Sequence, residues 1–182
     1  MENESFWRPT EVSWLALQDV DLAKIGMTAV LEALAKSRAA TALKAVERQT
    51  HAEWVRMERW RFEQICTRLI QKSAGIDKDL EALVQQLNDA RLQHHEKRHI
   101  VVHAVWGVGL EGEPVGYDWG RRLKLDAGDI ASAMEASLAL ERAAHRALMK
   151  VAHLVGAGVL PEGTDEGSSI EIGISNERWV KM

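Results

Sequence analysis

The sequence predicts an all-α fold: an antiparallel helical bundle of about four long helices, with a small β-hairpin inserted before the last helix. Three observations carry that prediction. The chain of 182 residues holds only three prolines, and it is rich in Ala, Leu, Glu, Lys and Arg, which enter helices at little cost. Apolar residues recur at three- and four-residue spacing over several long stretches. Between residues 107 and 128 that spacing stops, and six glycines and Pro114 take its place.

The first helix is expected from residue 11 to about residue 36. Leu17, Val20, Met27, Val30, Leu31 and Leu34 share one broad arc, with Gln18, Asp21, Thr28, Glu32 and Lys36 opposite, interrupted by Ile25. An arc that apolar predicts a helix buried at the centre of the bundle. Thr10 or Ser13 is placed to cap its start, with Pro9 at the entry. A second stretch runs from about 39 to 73, with a break near Gln49-Thr50-His51, and gathers Trp54, Val55, Phe62, Ile65, Cys66 and Leu69 on one face. Trp60 falls among the polar positions, as an exposed aromatic or a piece of an interface. Gly75 is positioned to end this helix. Cys66, the single cysteine, has no intrachain partner, and its spacing from Phe62 and Leu69 assigns it to packing.

The third helix is expected from about Asp77 past Arg98. Leu80, Leu83, Val84 and Leu87 form its stripe, and the same phase then meets Arg91, His94 and Arg98 before Val101 and Val102 restore it. Polar groups on a buried stripe must be paired, solvated in a cleft or placed at an interface, because burying them alone is costly. Val105, Trp106, Val115, Tyr117, Trp119, Leu123 and Leu125 then read as a hairpin with a loose tip. Asp126 or Asp129 caps a last helix carrying Ile130, Met134, Leu138, Leu148, Ala152 and Val155 on one face, ended by Gly156 and Gly158. Residues 1–160 thus read as one helical domain. Residues 161–182 read as a polar linker and a strand-like tail with Ile170, Ile172 and Ile174 in alternation.

Composition narrows the function classes. The formal net charge is −4, so the surface as a whole does not attract nucleic acid, and only a local basic set could. No apolar run reaches the roughly 18 residues needed to span a bilayer, and Met-Glu-Asn-Glu-Ser opens the chain without a hydrophobic signal region. A cytoplasmic protein with no membrane role is the expectation.

The chemistry-bearing segment is Glu96-Lys97-Arg98-His99-Ile100-Val101-Val102-His103-Ala104-Val105-Trp106-Gly107. His95, His99 and His103 recur at i, i+4 and i+8 and share one helix face. Two histidines at that spacing can hold zinc, but the third lies roughly 12 Å from the first along an unbroken helix. No metal or other cofactor is the expectation, and a metal-dependent enzyme or sensor built on this stripe is the remoter alternative. The same residues suit acid–base work on a phosphodiester: histidine moves protons near neutral pH, and arginine offers a planar cation to phosphate oxygens. Arg98 and His103 are about 140° apart around an ideal helix. They converge only if the helix ends between them or if two chains face each other. The alternative is that both residues pair or cap within a helical interface and catalyse nothing. Trp106 reads as packing beneath the hairpin, with base stacking as the alternative. His145, on the last helix, reads as a hydrogen-bonded core or interface histidine.

The run Arg98-His99-Ile100-Val101-Val102-His103 resembles the Arg-x4-His motif of the HEPN superfamily. Its extension through Ala104-Val105-Trp106-Gly107 is similar to a bacterial branch with Arg-Asn-x-x-x-His-Gly-x-Trp-Gly. Long helices before the motif, a glycine-rich hairpin after it and a final long helix extend the likeness over residues 10 to 155. The resemblance implies a helical homodimer whose two motifs line one cleft, and a metal-independent endoribonuclease of toxin or phage-defence type. Arg98 would then bind the scissile phosphate, His103 would serve as general base or acid, and His99 would orient one of them. The RNA 2′-hydroxyl would attack and leave a 2′,3′-cyclic phosphate. Lys97, Arg91, Arg121, Arg122 and Lys124 would contact the RNA backbone, and an antitoxin or other protein would be a partner. Ala104 departs from the glycine of that branch. Val105 stands where relatives paired with nucleotidyltransferase antitoxins carry tyrosine. A non-catalytic HEPN-like module that binds RNA, a nucleotide or a protein is the other outcome the resemblance allows.

Overall fold

A computed structural model describes residues 19–47, 57, 59–109, 111–118, 120–121 and 123–160. Among them are four helices, α1 (Asp19–Glu47), α2 (Phe62–Ser73), α3 (Lys78–His103) and α4 (Ala127–Gly156). Three short strands, β1 (Val105–Val108), β2 (Pro114–Asp118) and β3 (Leu123–Leu125), lie between α3 and α4. The fold is the expected helical bundle with a small β insertion. No helix among these residues is long and apolar enough to cross a membrane.

Local chemistry sets most of the boundaries. The Gln64 side chain accepts a hydrogen bond from the Arg61 N–H at 2.8 Å, satisfying one donor ahead of α2. Gly75, just past that helix, takes φ +80°, a conformation only glycine adopts without strain. Asp77 caps α3 by accepting from the Leu80 N–H at 2.9 Å. Asp126 caps α4 by accepting from the Gly128 and Asp129 N–H groups, and Asp129 accepts in return from the Asp126 N–H at 2.9 Å. Nothing stops the first helix near residue 36, where Ala35, Ala39, Ala40 and Ala42 favour continuation, so α1 runs on to Glu47. The first part of the expected second helix therefore belongs to α1. The proposed break at residues 49–51, the caps at Thr10 and Ser13, and the isoleucines of the tail lie outside the described residues.

The main core joins all four helices through Leu43, Ile65, Cys66, Leu69, Leu80, Val84, Leu87, Leu140, Val151 and a set of alanines. Cys66 sits within it, and burial pushes its thiol up to about 12, which keeps it an inert packing group. Lys150 pairs with Asp77 at 3.0 Å and Asp79 at 3.3 Å. At the other end Val101 packs with Ile130, so α3 and α4 run antiparallel.

Two helix faces differ from expectation. On α1 the buried residues are Asp21, Thr28, Ala35, Ala39, Ala40, Ala42 and Leu43, while Val20, Met27, Val30 and Leu34 are 40–59% exposed. The predicted inside is thus largely outside. Small side chains decided this: Ala35, Ala39 and Ala42 share a core with Ala143, Ala144 and Ala147 of α4. Facing alanines let two backbones approach closely and fill the space without voids. Thr28 tolerates burial because its hydroxyl donates to the Ile25 carbonyl at 2.7 Å, and Asp21 pairs with Lys24 at 3.3 Å. The buried face of α4 is likewise Ile130, Ala133, Ser137, Leu140, Ala143, Ala144, Ala147, Val151 and Leu154; Met134, Leu138, Leu148, Ala152 and Val155 are half-buried beside it. Trp60 packs partly buried against the main core rather than projecting from it.

The β insertion is a three-stranded antiparallel sheet in the order β1-β2-β3, one strand more than a hairpin. Trp106 of β1 stands opposite Gly116 of β2. A Cβ on Gly116 would meet the indole ring at 2.8 Å, so glycine there makes room for the ring. The indole packs against Val101, Ile130 and Ala133, and its N–H donates to the Val101 carbonyl at 2.8 Å. Trp106 therefore fastens the sheet to the end of α3, as a packing residue.

Candidate active site

The motif occupies the last two turns of α3, which continues without interruption to His103 and stops at Ala104, whose backbone is extended. The helix does not end between Arg98 and His103. The two keep the 140° separation and a rise of about 7.5 Å along the axis, and within one chain they serve different faces.

Arg98 turns inward. Its Nε is buried and lies 2.9 Å from Glu32 Oε2 of α1, a close charge contact without the alignment of a hydrogen bond. Beside it His94 is 1% exposed. Its ring is hydrogen-bonded with the Thr28 backbone, and its Nε2 has no hydrogen-bond partner among the described residues. Burial holds the His94 imidazole below the ordinary histidine range; Arg98 and His95 push the same way, against the pull of Glu32. His94, Arg98 and Glu32 form a polar seam where α1 crosses α3. That fits the expected polar interruption of the α3 stripe, and Glu32 is its partner. Sequence reasoning missed Glu32 because it lay on the stripe of α1 assigned to solvent.

The histidines turn outward. The rings of His99 and His103 stand 4.5 Å apart between centroids, tilted by 50°, and His95 continues the row 6.1 Å beyond His99. His95 and His103 are exposed and His99 half-buried. Partial burial holds His99 below the ordinary histidine range, helped by His103, Arg121 and His95 and opposed by Asp118. The turn after β2 thus brings a cation and a carboxylate to the end of α3. Asp118 Oδ1 accepts from the Gly120 and Arg121 N–H groups at 3.0 and 3.2 Å, which fixes this turn, and the Arg121 guanidinium lies 3.9 Å from Asp118 Oδ2. No group of three or more His, Cys, Asp or Glu side chains among the described residues is arranged to hold a metal ion.

The structure brings His99 and His103 together, with Arg121 and the unforeseen Asp118 close enough for their charges to act on His99. Lys97 is exposed on α3 and Lys124 on β3, where Lys124 pairs in register with Tyr117. Arg91 lies apart from the histidine face: its guanidinium donates to Asn88 Oδ1 at 3.2 and 3.3 Å, and its charge is felt by Cys66. Arg122 lies outside the described residues. His145 is exposed on α4 and is not a core histidine; the half-buried stripe of Met134, Leu138 and Leu148 runs along the helix without including it. No family model matches the chain, and neither does any curated protein or solved structure.

Proposed function

We propose that this chain is a metal-independent endoribonuclease whose proton-moving groups are His99 and His103. The observation that carries this reading is the accessible pair of imidazoles 4.5 Å apart at the end of α3, beside Arg121. Its fit with the HEPN-like motif supports it. Partial burial and the neighbouring His103 and Arg121 hold His99 below the ordinary histidine range, which favours the neutral imidazole that can accept a proton. In the reaction the RNA 2′-hydroxyl attacks the adjacent phosphorus and its proton passes to an imidazole. The bond to the 5′-oxygen breaks and that oxygen takes up a proton, leaving a 2′,3′-cyclic phosphate and a 5′-hydroxyl. Arg121, whose charge is felt at His99, is the cation this reading assigns to the charge that builds on the phosphate oxygens. Arg98 lies on a different face of α3 from the histidines of its own chain, so in this reading it leaves Glu32 and serves the histidines of a second copy. In this reading the active cleft belongs to a homodimer, of toxin or phage-defence type.

The Arg98–Glu32 contact also favours a second reading: a binding module in which Arg98 only holds α3 to α1 and the histidine row contacts RNA or a protein without cutting. One assay separates the two. Purified protein is incubated with mixed RNA in excess chelator, beside Arg98→Ala, His103→Ala and Arg121→Gln. Cleavage that persists in chelator and is lost in His103→Ala supports the nuclease. RNA binding with no cleavage in any form supports the binding module.

A further inference from the structure

Away from the motif, Arg38 of α1 and Ala139, Glu141, Arg142, His145 and Arg146 of α4 line an open depression of about 620 Å³. His145 lies about 22 Å along α4 from Ile130, the residue that packs under the end of α3. The depression is therefore distinct from the histidine row and does not depend on the nuclease reading. We propose that it is a binding site for a ligand bearing phosphate groups.

Charge is the first reason. Three arginines and a histidine converge on one place in a chain whose net charge is −4, with Glu141 as the single acid of the lining. Glu141 and Arg38 form an ion pair and offset each other, which leaves Arg142, Arg146 and His145 as the unpaired groups of the lining. That pair is half-buried, and burial lowers the Arg38 pKa, so the fixed guanidinium stands where water screens it less. Arg142, His145 and Arg146 are exposed, and among the described residues no ion pair or hydrogen bond joins them to any side chain. Arg68, Arg91, Arg98 and Arg121, by contrast, each have an acid or amide partner.

Spacing is the second reason. Positions 142, 145 and 146 are neighbours on one helix face. Two arginines at i, i+4 with no acid between them repel each other in the free protein, and an anion across them removes that repulsion. Guanidinium forks match phosphate oxygens two at a time, and the depression has the volume of ordinary ligand sites. The phosphate could belong to a free polyphosphate or to the backbone of an RNA strand, and the same side chains would hold either.

The test titrates the full chain with tripolyphosphate and, separately, with a labelled single-stranded RNA. The wild type is compared with the double variant Arg142→Gln/Arg146→Gln. All these positions are exposed, so folding is checked simply by an unchanged circular-dichroism spectrum. Arg59→Gln/Arg61→Gln removes the same charge elsewhere. Tripolyphosphate binding should weaken at least tenfold in the first variant and change less than twofold in the second. A parallel loss of RNA affinity assigns the site to a strand; loss for tripolyphosphate alone assigns it to a free phosphate ligand. The proposal is overturned if tripolyphosphate does not bind the wild type, or if both variants weaken it equally.

Discussion

Burying His94 between α1 and α3 makes the stability of the bundle depend on pH. The groups facing it are Glu32 from α1 and Arg98 and His95 from α3, and desolvation prevails among their effects. The folded state therefore resists protonating a ring that the unfolded chain protonates freely below about pH 6.5. The unfolded state binds more protons in that window, so stability falls as pH drops through about 6.5 toward the lower folded value. Urea midpoints at pH 7.5 and 5.5 should show the loss, and His94→Gln should flatten it. An equal loss in the variant would place the acid sensitivity elsewhere. At the other end of the motif, Gly116→Ala drives a methyl into the Trp106 ring at 2.8 Å. Overpacking of that kind costs about 1–3 kcal/mol, read as a lowered urea midpoint. It should loosen the sheet, measured by hydrogen exchange at the β1 and β2 amides, before it loosens α3.

Helices in this chain were legible where one rule decides them. The α3 stripe and its start near Asp77, the Asp126 cap and the Gly75 stop followed from spacing and cap chemistry, and the 140° separation of Arg98 from His103 followed from helical pitch alone. The α1 face did not, because a hydropathy arc ranks Val20, Met27, Val30 and Leu34 above alanine. The bundle instead selected Ala35, Ala39 and Ala42, whose value is close approach rather than transfer from water. With that face inverted, Glu32 moved from the solvent stripe to the seam, so the partner of Arg98 was not legible either. Asp118 and Arg121 reach the histidines only through the turn after β2, which helix periodicity does not describe. The inversion is testable on α1 itself. Ala39→Leu should cost about 1–3 kcal/mol by overpacking, whereas Val30→Gln, at 59% exposure, should shift stability by no more than about 0.5 kcal/mol. The opposite ranking in urea denaturation would restore the hydropathy arc as the buried face.

At the scale of the whole molecule, the outward histidines and the inward Arg98 decide how many chains a nuclease cleft requires. A cleft that takes His103 from one copy and Arg98 from the other needs a symmetric dimer, each chain supplying one half of each of two clefts. That arrangement has a signature no single-chain site shares. Arg98→Ala and His103→Ala homodimers each lack a component in both clefts and should be inactive on RNA. In a mixed dimer one cleft loses both residues, and the other keeps an intact Arg98 and an intact His103. Equal mixing after reversible dissociation yields half mixed dimers, so cleavage should return to roughly a quarter of the wild-type rate. It should also fall on dilution as dimers dissociate. Activity that stays at zero on mixing, beside an active wild type, would mean that each cleft draws both residues from one chain. The Arg98–Glu32 contact has to open for catalysis in either arrangement, so Glu32→Gln, which frees the guanidinium, should raise the rate rather than lower it.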